Sequence, residues 1–238
     1  MLTIEQRLEE LHKQIVLAKI NPCHTSAGSP AGGEFCETGG GGGIGSSSAS
    51  LPPTIVESSG VSVAVGYPPL DDAEIAGLWS YKSSGFATIN DILLGKPSTE
   101  SESNKKYAQK HIAGISSVMA RSSLTKDTSL HRGMSGEVAK TIFDLPVGSV
   151  FSVPSFQSTT TSRGVAAEFA SKGSPPPVMF KILAPAGTKA ILIEKMIKMV
   201  KMDLREKEVV LDKGLQYRIT GKDTKPGRTM TMNLEVVK

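Results

Sequence analysis

The sequence has almost no cysteine. Its two cysteines among 238 residues, Cys23 and Cys36, lie in an N-terminal region of low complexity. The region that should fold contains none, so disulfide bonds do not hold this fold together. A Cys23–Cys36 bridge, or a metal site formed by the two cysteines and His24, is conceivable. We favour two unpaired cysteines in a flexible arm.

Long apolar runs and a strong charge bias are also missing. No stretch of roughly 18 apolar residues occurs, so no transmembrane helix is predicted. The N-terminus lacks a basic region followed by an apolar stretch, so no standard signal peptide is predicted. If the protein is exported or delivered, another machine does it. The formal charge of +4 is a mild excess that does not require a nucleic-acid partner.

Residues 3–20 are predicted to form an amphipathic helix. Ile4, Leu8, Leu11 and Ile15 are spaced four, three and four apart, which places them on one face. This helix could dock a carrier or an immunity partner, or it could be a loosely packed terminal helix.

Residues 21–69 are interpreted as a disordered linker rich in Gly, Ser and Pro, because such a composition cannot bury enough apolar surface to offset its ordering entropy. Gly40, Gly42 and Gly45 match a GxGxxG pattern, but no strand precedes them and a glycine run gives the match by chance. Residues 21–35 resemble short segments of some phage structural proteins and toxins, which suggests a phage or mobile-element origin.

Residues 70–238 are predicted to form one α+β domain. Helical patterns come first and strand patterns follow, which disfavours a doubly wound α/β sheet. His111 falls on the apolar stripe of a helix and is interpreted as a satisfied core histidine. Helices are predicted at about 72–81 (with Asp72 as the cap), 87–94, 103–122 and 162–172, and strands at 129–132, 150–160, 178–183, 189–193, 208–211, 215–220 and 229–236.

Three separated motifs carry chemistry. The first is Leu130-His131-Arg132-Gly133, the second is Phe156-Gln157-Ser158-Thr159-Thr160, and the third is Glu206-Lys207-Glu208-Val209-Val210-Leu211. On a strand, residues i and i+2 point to the same side, so Glu206 and Glu208 are expected to face one cleft.

In this order the motifs resemble the Arg–Ser–Glu signature of the ADP-ribosylating-toxin superfamily, particularly the clostridial-toxin-like branch with its Glu-x-Glu pair. The segment from Tyr81 to Asn90 is similar to the helical lead-in of that family. The resemblance covers roughly residues 70–238. It implies an N-terminal helical lobe followed by two packed, mainly antiparallel β-sheets with an NAD cleft between them.

The resemblance also implies roles for the cleft residues. Arg132 has a planar fork of donors suited to the phosphates of NAD, and Gly133 would let the backbone approach the nicotinamide ring. Ser158 would hydrogen-bond the catalytic carboxylate and hold its rotamer, with Thr159 beside it in the cofactor site. The family usually has Ser-Thr-Ser where this chain has Ser-Thr-Thr.

By the same resemblance, Glu208 would stabilise positive charge on the ribose as the glycosidic bond breaks. Glu206 would orient the acceptor and take its proton. Arg163 could add a second phosphate contact, and Phe169 is interpreted as a core residue. Residues 196–205 match the position of the substrate-recognition turn.

The expected activity is transfer of ADP-ribose from NAD to a protein side chain, with arginine as the favoured acceptor and no metal required. Two alternatives stay open at this point. One is an NAD glycohydrolase toxin on the same fold, and the other is a non-catalytic virion or interaction protein with a relic domain. The expected place of action is the cytoplasm of a target cell, after secretion, injection or delivery with a virion, without a nucleic-acid or membrane partner.

Overall fold

The computed structural model describes residues 52–96, 101–197, 207–224 and 229–237. The predicted helix at 3–20 and most of the predicted linker therefore lie outside the described residues. None of the helices within the described ranges is both long and apolar enough to cross a membrane.

The last part of the predicted linker is a β-hairpin, so that part of the prediction is wrong. Strands β1 (Thr54–Ser58) and β2 (Val61–Val65) pair antiparallel. Ser59 and Gly60 connect them with φ angles of 51° and 82°, the left-handed values that a tight two-residue hairpin turn requires. Val61, Val63 and Val65 are buried in the core. Alternating β-branched residues outweigh the surrounding glycine and serine, so order begins before residue 70.

A helical lobe follows the hairpin. Helix α1 (Asp72–Ser80) continues through a π-helical turn (Tyr81–Gly85) into α2 (Phe86–Leu93), and α3 (Glu102–Ala120) packs against α1. Asp71, rather than Asp72, caps α1 by accepting from the Glu74 amide at 2.8 Å, while Glu74 accepts from the Asp71 amide at 3.1 Å.

An ion pair ties the start of α1 to the end of α3. The buried Glu74 carboxylate is held by both terminal nitrogens of Arg121 at 2.6 Å each and by the Ser117 hydroxyl at 2.7 Å. This hydrogen bonding holds the pKa of Glu74 at about 2 against an ordinary 4.5.

His111 is buried on α3, as predicted, and its ring lies edge-on to Tyr107 with centroids 4.1 Å apart. Among the described residues neither ring nitrogen has a hydrogen-bond partner, so the histidine is a core residue but not a satisfied one. Burial lowers the pKa of His111.

Two sheets form the rest of the domain. Strand β3 (Ser122–Leu124) joins β1 and β2 in a three-stranded sheet. The strands of the larger sheet are β4 (Thr128–Ser135), β5 (Val150–Ser152), β6 (Gln157–Thr160), β7 (Pro177–Ala184), β8 (Ala190–Ile191), β9 (Glu208–Leu211), β10 (Gln216–Asp223) and β11 (Met230–Val237). They follow the order β5-β10-β11-β7-β4-β6-β9-β8, and all neighbours are antiparallel except β7 and β11. The predicted α+β architecture with two sheets is confirmed.

The strand predicted at 150–160 is two strands, so that prediction is wrong. β5 pairs with β10 at one edge of the large sheet, whereas β6 pairs with β4 and β9 farther along it. Pro154 lies between them and has no amide hydrogen to donate to a ladder, which favours a break.

The two sheets share one apolar core, which contains Val63 of β2 together with Leu130, Phe180 and Leu211 of the large sheet. A second core packs the helical lobe onto that sheet, through Leu78, Tyr81, Phe156 and Val210. Helix α4 (Gly136–Asp144) follows β4, α5 (Arg163–Lys172) follows β6, and the short α6 (Ile193–Met196) follows β8. The second core fixes the helical lobe beside strands β4, β6 and β9.

Candidate active site

A cavity of about 340 Å³ lies where the helical lobe meets strands β4, β6 and β9. The π-helical turn and α2 form one wall, and α5 forms another. Its lining combines aromatic rings, hydroxyls, two cations and one carboxylate, contributed by Tyr81, Lys82, Ser83, Phe86, Asn90, His131, Arg132, Gly133, Ser158, Thr159, Thr160, Val165, Ala166, Phe169 and Glu208. The sequence-predicted residues Arg132, Gly133, Ser158, Thr159 and Glu208 are thus brought together.

Sheet register explains this convergence. β4 and β6 meet where His131 lies opposite Thr160, and β6 and β9 meet where Thr160 lies opposite Glu208. Neighbouring strands lie about 4.8 Å apart, so residues at matching positions of three adjacent strands can line one pocket.

The Arg132 guanidinium is held by strand β6. Its Nη1 donates to the Ser158 carbonyl oxygen at 2.6 Å, which fixes the side chain beside the cavity. The buried Nε has no hydrogen-bond partner among the described residues. Burial lowers the pKa of Arg132, and the nearby Tyr81, Tyr217 and Glu208 oppose that shift. Arginine retains its proton in proteins, so the cavity holds a fixed positive charge. The guanidinium has five N–H donors, of which the bond to Ser158 uses one.

Gly133 allows β4 and α5 to pack closely together. A Cβ atom at this position would lie 1.8 Å from the Ala166 carbonyl oxygen and 2.5 Å from the Ala170 nitrogen. Glycine is therefore required because the helix backbone crosses the strand closely. The expected approach to nicotinamide is not needed to explain the residue, although Gly133 does line the cavity.

The hydroxyl of Ser158 contacts a tyrosine. Its Oγ lies 3.1 Å from the Tyr81 hydroxyl. In the described part of the chain no hydrogen bond joins Ser158 Oγ to Glu208, so the structure does not show the expected bond between the serine and the carboxylate. Tyr81 also lies 3.4 Å from both the Phe156 carbonyl oxygen and Asn90 Nδ2, and burial raises its pKa. This network fixes the start of β6 against the π-helical turn.

The next two hydroxyls of β6 are engaged by the backbone. Thr159 Oγ1 donates to the Val209 carbonyl oxygen at 2.6 Å, and Thr160 Oγ1 accepts from the Ser162 amide at 3.0 Å. Both threonines are buried, so their side chains stabilise the junctions of β6 with β9 and with α5.

Glu208 begins β9 at the edge of the cavity. Its side chain is 13% exposed, and its Oε2 accepts from Lys82 Nζ at 3.0 Å. The residue before it, Lys207, has a φ of 47°, a backbone angle that is uncommon for residues other than glycine. The predicted partner Glu206 lies outside the described residues, as does most of the predicted recognition turn.

The positions of Arg163 and Phe169 differ from those that the sequence predicted. Arg163, at the start of α5, is exposed and is not among the residues that line the cavity. Phe169 is 48% exposed and forms part of the cavity wall, so the prediction of a core residue is wrong. Its position on the apolar side of a short helix does not reveal that this side turns partly toward a cavity.

The sequence-based prediction missed several lining residues. Tyr81 and Asn90 belong to the lead-in segment that carries the family resemblance, which was the one signal available for them. His131 precedes Arg132 in its motif, and its buried Nδ1 has no partner within the described ranges. Burial lowers the pKa of His131, and Lys181 and Arg163 lower it further. Lys82 lies in the same lead-in segment, but nothing in the sequence pointed to a role for its side chain in the cavity.

The cavity offers a cation for an anionic group, a carboxylate for ribose hydroxyls and aromatic rings for a planar base. Within the described residues no group of three or more His, Cys, Asp or Glu is arranged to hold a metal ion.

Comparison with known sequences gives one family. The sequence model of the ADP-ribosyltransferase exoenzyme family matches residues 64–235. No curated protein sequence matches the chain.

Solved structures match with TM-scores slightly above 0.5. The ADP-ribosyltransferase Vis of Vibrio splendidus, solved in complex with agmatine, is 22% identical, with a TM-score of 0.56 over 72% of this chain and 77% of that chain. Exoenzyme S of Pseudomonas aeruginosa, solved with human 14-3-3 protein beta and bound to carba-NAD, is 18% identical, with a TM-score of 0.54 over 69% and 74%. An exoenzyme of Clostridium limosum is 18% identical, with a TM-score of 0.56 over 71% and 87%. At these identities the structures show a shared fold.

Proposed function

Because the chain belongs to the ADP-ribosyltransferase exoenzyme family, we propose that it breaks the nicotinamide–ribose bond of NAD and transfers ADP-ribose to a protein side chain. NAD is the substrate of this family. One observation supports the proposal most directly: Arg132, Ser158 and Glu208, on three neighbouring strands, line the same cavity.

In the proposed reaction, Arg132 binds the diphosphate of NAD. Its remaining guanidinium donors suit phosphate oxygens, and the Nη1 contact to the Ser158 carbonyl oxygen keeps the fork in place. The bond between C1′ of the ribose and the ring nitrogen of nicotinamide then breaks. Both electrons go to that nitrogen, so nicotinamide leaves as a neutral molecule.

Bond breaking leaves positive charge on the ribose. The Glu208 carboxylate, positioned at the cavity edge, would accept a hydrogen bond from the ribose 2′-hydroxyl and stabilise that charge. Enclosure by the π-helical turn and α5 lowers the local dielectric constant, which strengthens this interaction.

We propose arginine as the acceptor. A guanidinium has a pKa above about 12 and is a poor nucleophile until a neighbouring carboxylate orients it and takes its proton. Glu206, two residues before Glu208, would be that carboxylate. Vis, solved in complex with agmatine, binds a small molecule that carries a guanidinium group, which supports an arginine-type acceptor here.

The toxin names of the structural relatives support an exported effector that acts on a protein of another cell. We propose delivery by secretion or injection, with residues 3–20 as a docking element for a carrier or an immunity partner.

The test compares nicotinamide release by the wild type, Glu208→Gln and the control Glu102→Gln, whose side chain is 81% exposed. Removing a preorganised electrostatic group at a transition state costs about 100-fold or more in rate. We therefore expect Glu208→Gln to lose at least about that factor and the control to match the wild type. Equal activity of wild type and Glu208→Gln would contradict the proposed role.

Mass spectrometry of target-cell proteins incubated with the enzyme and NAD identifies the acceptor. ADP-ribosylated arginine peptides, absent with Glu208→Gln, are expected. Modification confined to other side chains would exclude arginine. Free ADP-ribose without any labelled protein would identify a glycohydrolase, and a wild type without turnover would identify a non-catalytic protein.

A further inference from the structure

Lys82 lies between two carboxylates that are largely shielded from solvent. Its Nζ donates to Glu208 Oε2 at 3.0 Å and forms an ion pair with Glu194 Oε1 at 2.9 Å. The exposed fractions of the three side chains are 6% for the lysine, 7% for Glu194 and 13% for Glu208. The three residues come from the π-helical turn, α6 and β9, so this Glu194–Lys82–Glu208 bridge joins separate parts of the fold.

Such a bridge is poorly explained by stability alone. Burying three charged groups carries a large desolvation cost, and apolar side chains of similar volume often stabilise a protein at least as well. The surface pair Lys96–Asp91 shows the contrast, since both of its side chains are about half exposed. Because the bridge includes Glu208, which lines the cavity, we infer that the bridge serves the function of that carboxylate.

We propose that Lys82 is a positioning residue for Glu208, and that Glu194 anchors Lys82 in the required place. This proposal rests on the proposed function. The lysine engages Oε2 of Glu208, so Oε1 is the oxygen that can accept the ribose 2′-hydroxyl. Without the lysine the carboxylate can rotate away from that direction.

The π-helical turn makes this contact possible. Tyr81 is hydrogen-bonded to Ser158 on β6, and the very next residue reaches Glu208 on β9. The wide turn thus presents two consecutive side chains to two neighbouring strands. Single π-turns inside helices occur frequently at functional sites.

The bridge also sets the charge around Glu208. Lys82 faces it from the π-helical turn, Glu194 from α6 and Arg132 from β4, with the Tyr81 hydroxyl nearby. Removing the lysine leaves the two carboxylates without the counter-charge that they share.

The experiment measures nicotinamide release against NAD concentration for Lys82→Met, together with the unfolding midpoint in urea. The matched control is Lys96→Met, the same substitution at an exposed position of the helical lobe. A misplaced catalytic group costs up to about 100-fold in rate. We expect kcat of Lys82→Met to fall about 10- to 100-fold and KM for NAD to change less than about threefold.

A second variant separates positioning from folding. Lys82→Met leaves Glu194 buried without its counter-charge and can destabilise the protein. Lys82→Met/Glu194→Gln removes that charge, so its unfolding midpoint should recover while kcat stays low. Recovery of kcat together with stability, or a raised KM at unchanged kcat, would show that Lys82 does not position Glu208.

Nicotinamide release distinguishes failure of the proposed function from failure of the proposed role of Lys82. A wild type that releases no nicotinamide would overturn the proposed function, and the role of Lys82 with it. An active wild type whose Glu208→Gln variant is inactive, but whose double variant is fully active, would overturn the role of Lys82 alone.

Discussion

Replacing Gly133 with alanine should be severely destabilising, although it adds a single methyl group. The added Cβ would lie 1.8 Å from the Ala166 carbonyl oxygen. Real Cβ contacts rarely fall below 3.0 Å, so α5 and β4 must separate locally by about 1.2 Å. The obstacle is the backbone of a helix, which cannot turn aside as a flexible side chain can.

The size of the effect follows from this geometry. Overpacking a core typically costs about 1–3 kcal/mol, and rigid obstacles give the upper part of that range. We therefore expect Gly133→Ala to lose about 3 kcal/mol or more, a large share of the roughly 5–15 kcal/mol that stabilises a typical domain. Since Arg132 precedes this residue, NAD turnover by the folded fraction should fall too.

Urea unfolding followed by circular dichroism measures the change, with Gly164→Ala as the control. Gly164 lies in α5, the nearest atom to an added Cβ is 3.8 Å away, and alanine favours a helix by about 1 kcal/mol. The control should match or exceed the wild type in stability. An unfolding midpoint of Gly133→Ala equal to that of the wild type would refute the close crossing of β4 and α5.

Two further predictions concern the helical lobe. Glu74→Gln should lose about 3 kcal/mol at pH 7, because it leaves the half-buried Arg121 without its counter-charge. Since the folded-state pKa of Glu74 is about 2 against an ordinary 4.5, this stability is complete above pH 4.5 and is lost as pH falls toward 2. The urea midpoint of the variant should therefore lie closer to that of the wild type at pH 3 than at pH 7. An equal difference at both pH values would exclude the ion pair as the cause. Tyr81→Phe should cost about 1 kcal/mol and slow nicotinamide release, because it removes the hydroxyl that holds Ser158; a variant equal to the wild type in both assays would show that the hydroxyl is dispensable.

Local patterns in the sequence were sufficient for the α+β class and for most helices and strands, whereas the arrangement in two sheets came from the family resemblance. Helix periodicity placed α1, α2, α3 and α5, and strand alternation placed β7, β9, β10 and β11, because both depend on residues close together in the chain. The same patterns failed where composition misled. The valines of β2 were assigned to a linker because glycine and serine dominate the residues before them.

The order of the motifs predicted five cavity residues from the sequence alone: Arg132, Gly133, Ser158, Thr159 and Glu208. They lie on three adjacent strands, and their proposed roles remain predictions for the experiments above. Their immediate surroundings could not be foreseen. The sequence suggested that Ser158 bonds a carboxylate, whereas packing of the helical lobe gives it Tyr81, 77 positions away.

By itself, the sequence determined the α+β class, most helices and strands, and the residue types available for NAD chemistry. Tertiary structure alone decided that Gly133 passes beneath α5, that Phe169 turns toward the cavity, and that Lys82 meets Glu208 across 126 positions. Periodicity reflects the geometry of one helix or strand. Contacts between distant residues depend on how the two cores seat the helical lobe on the sheet, which no local pattern specifies.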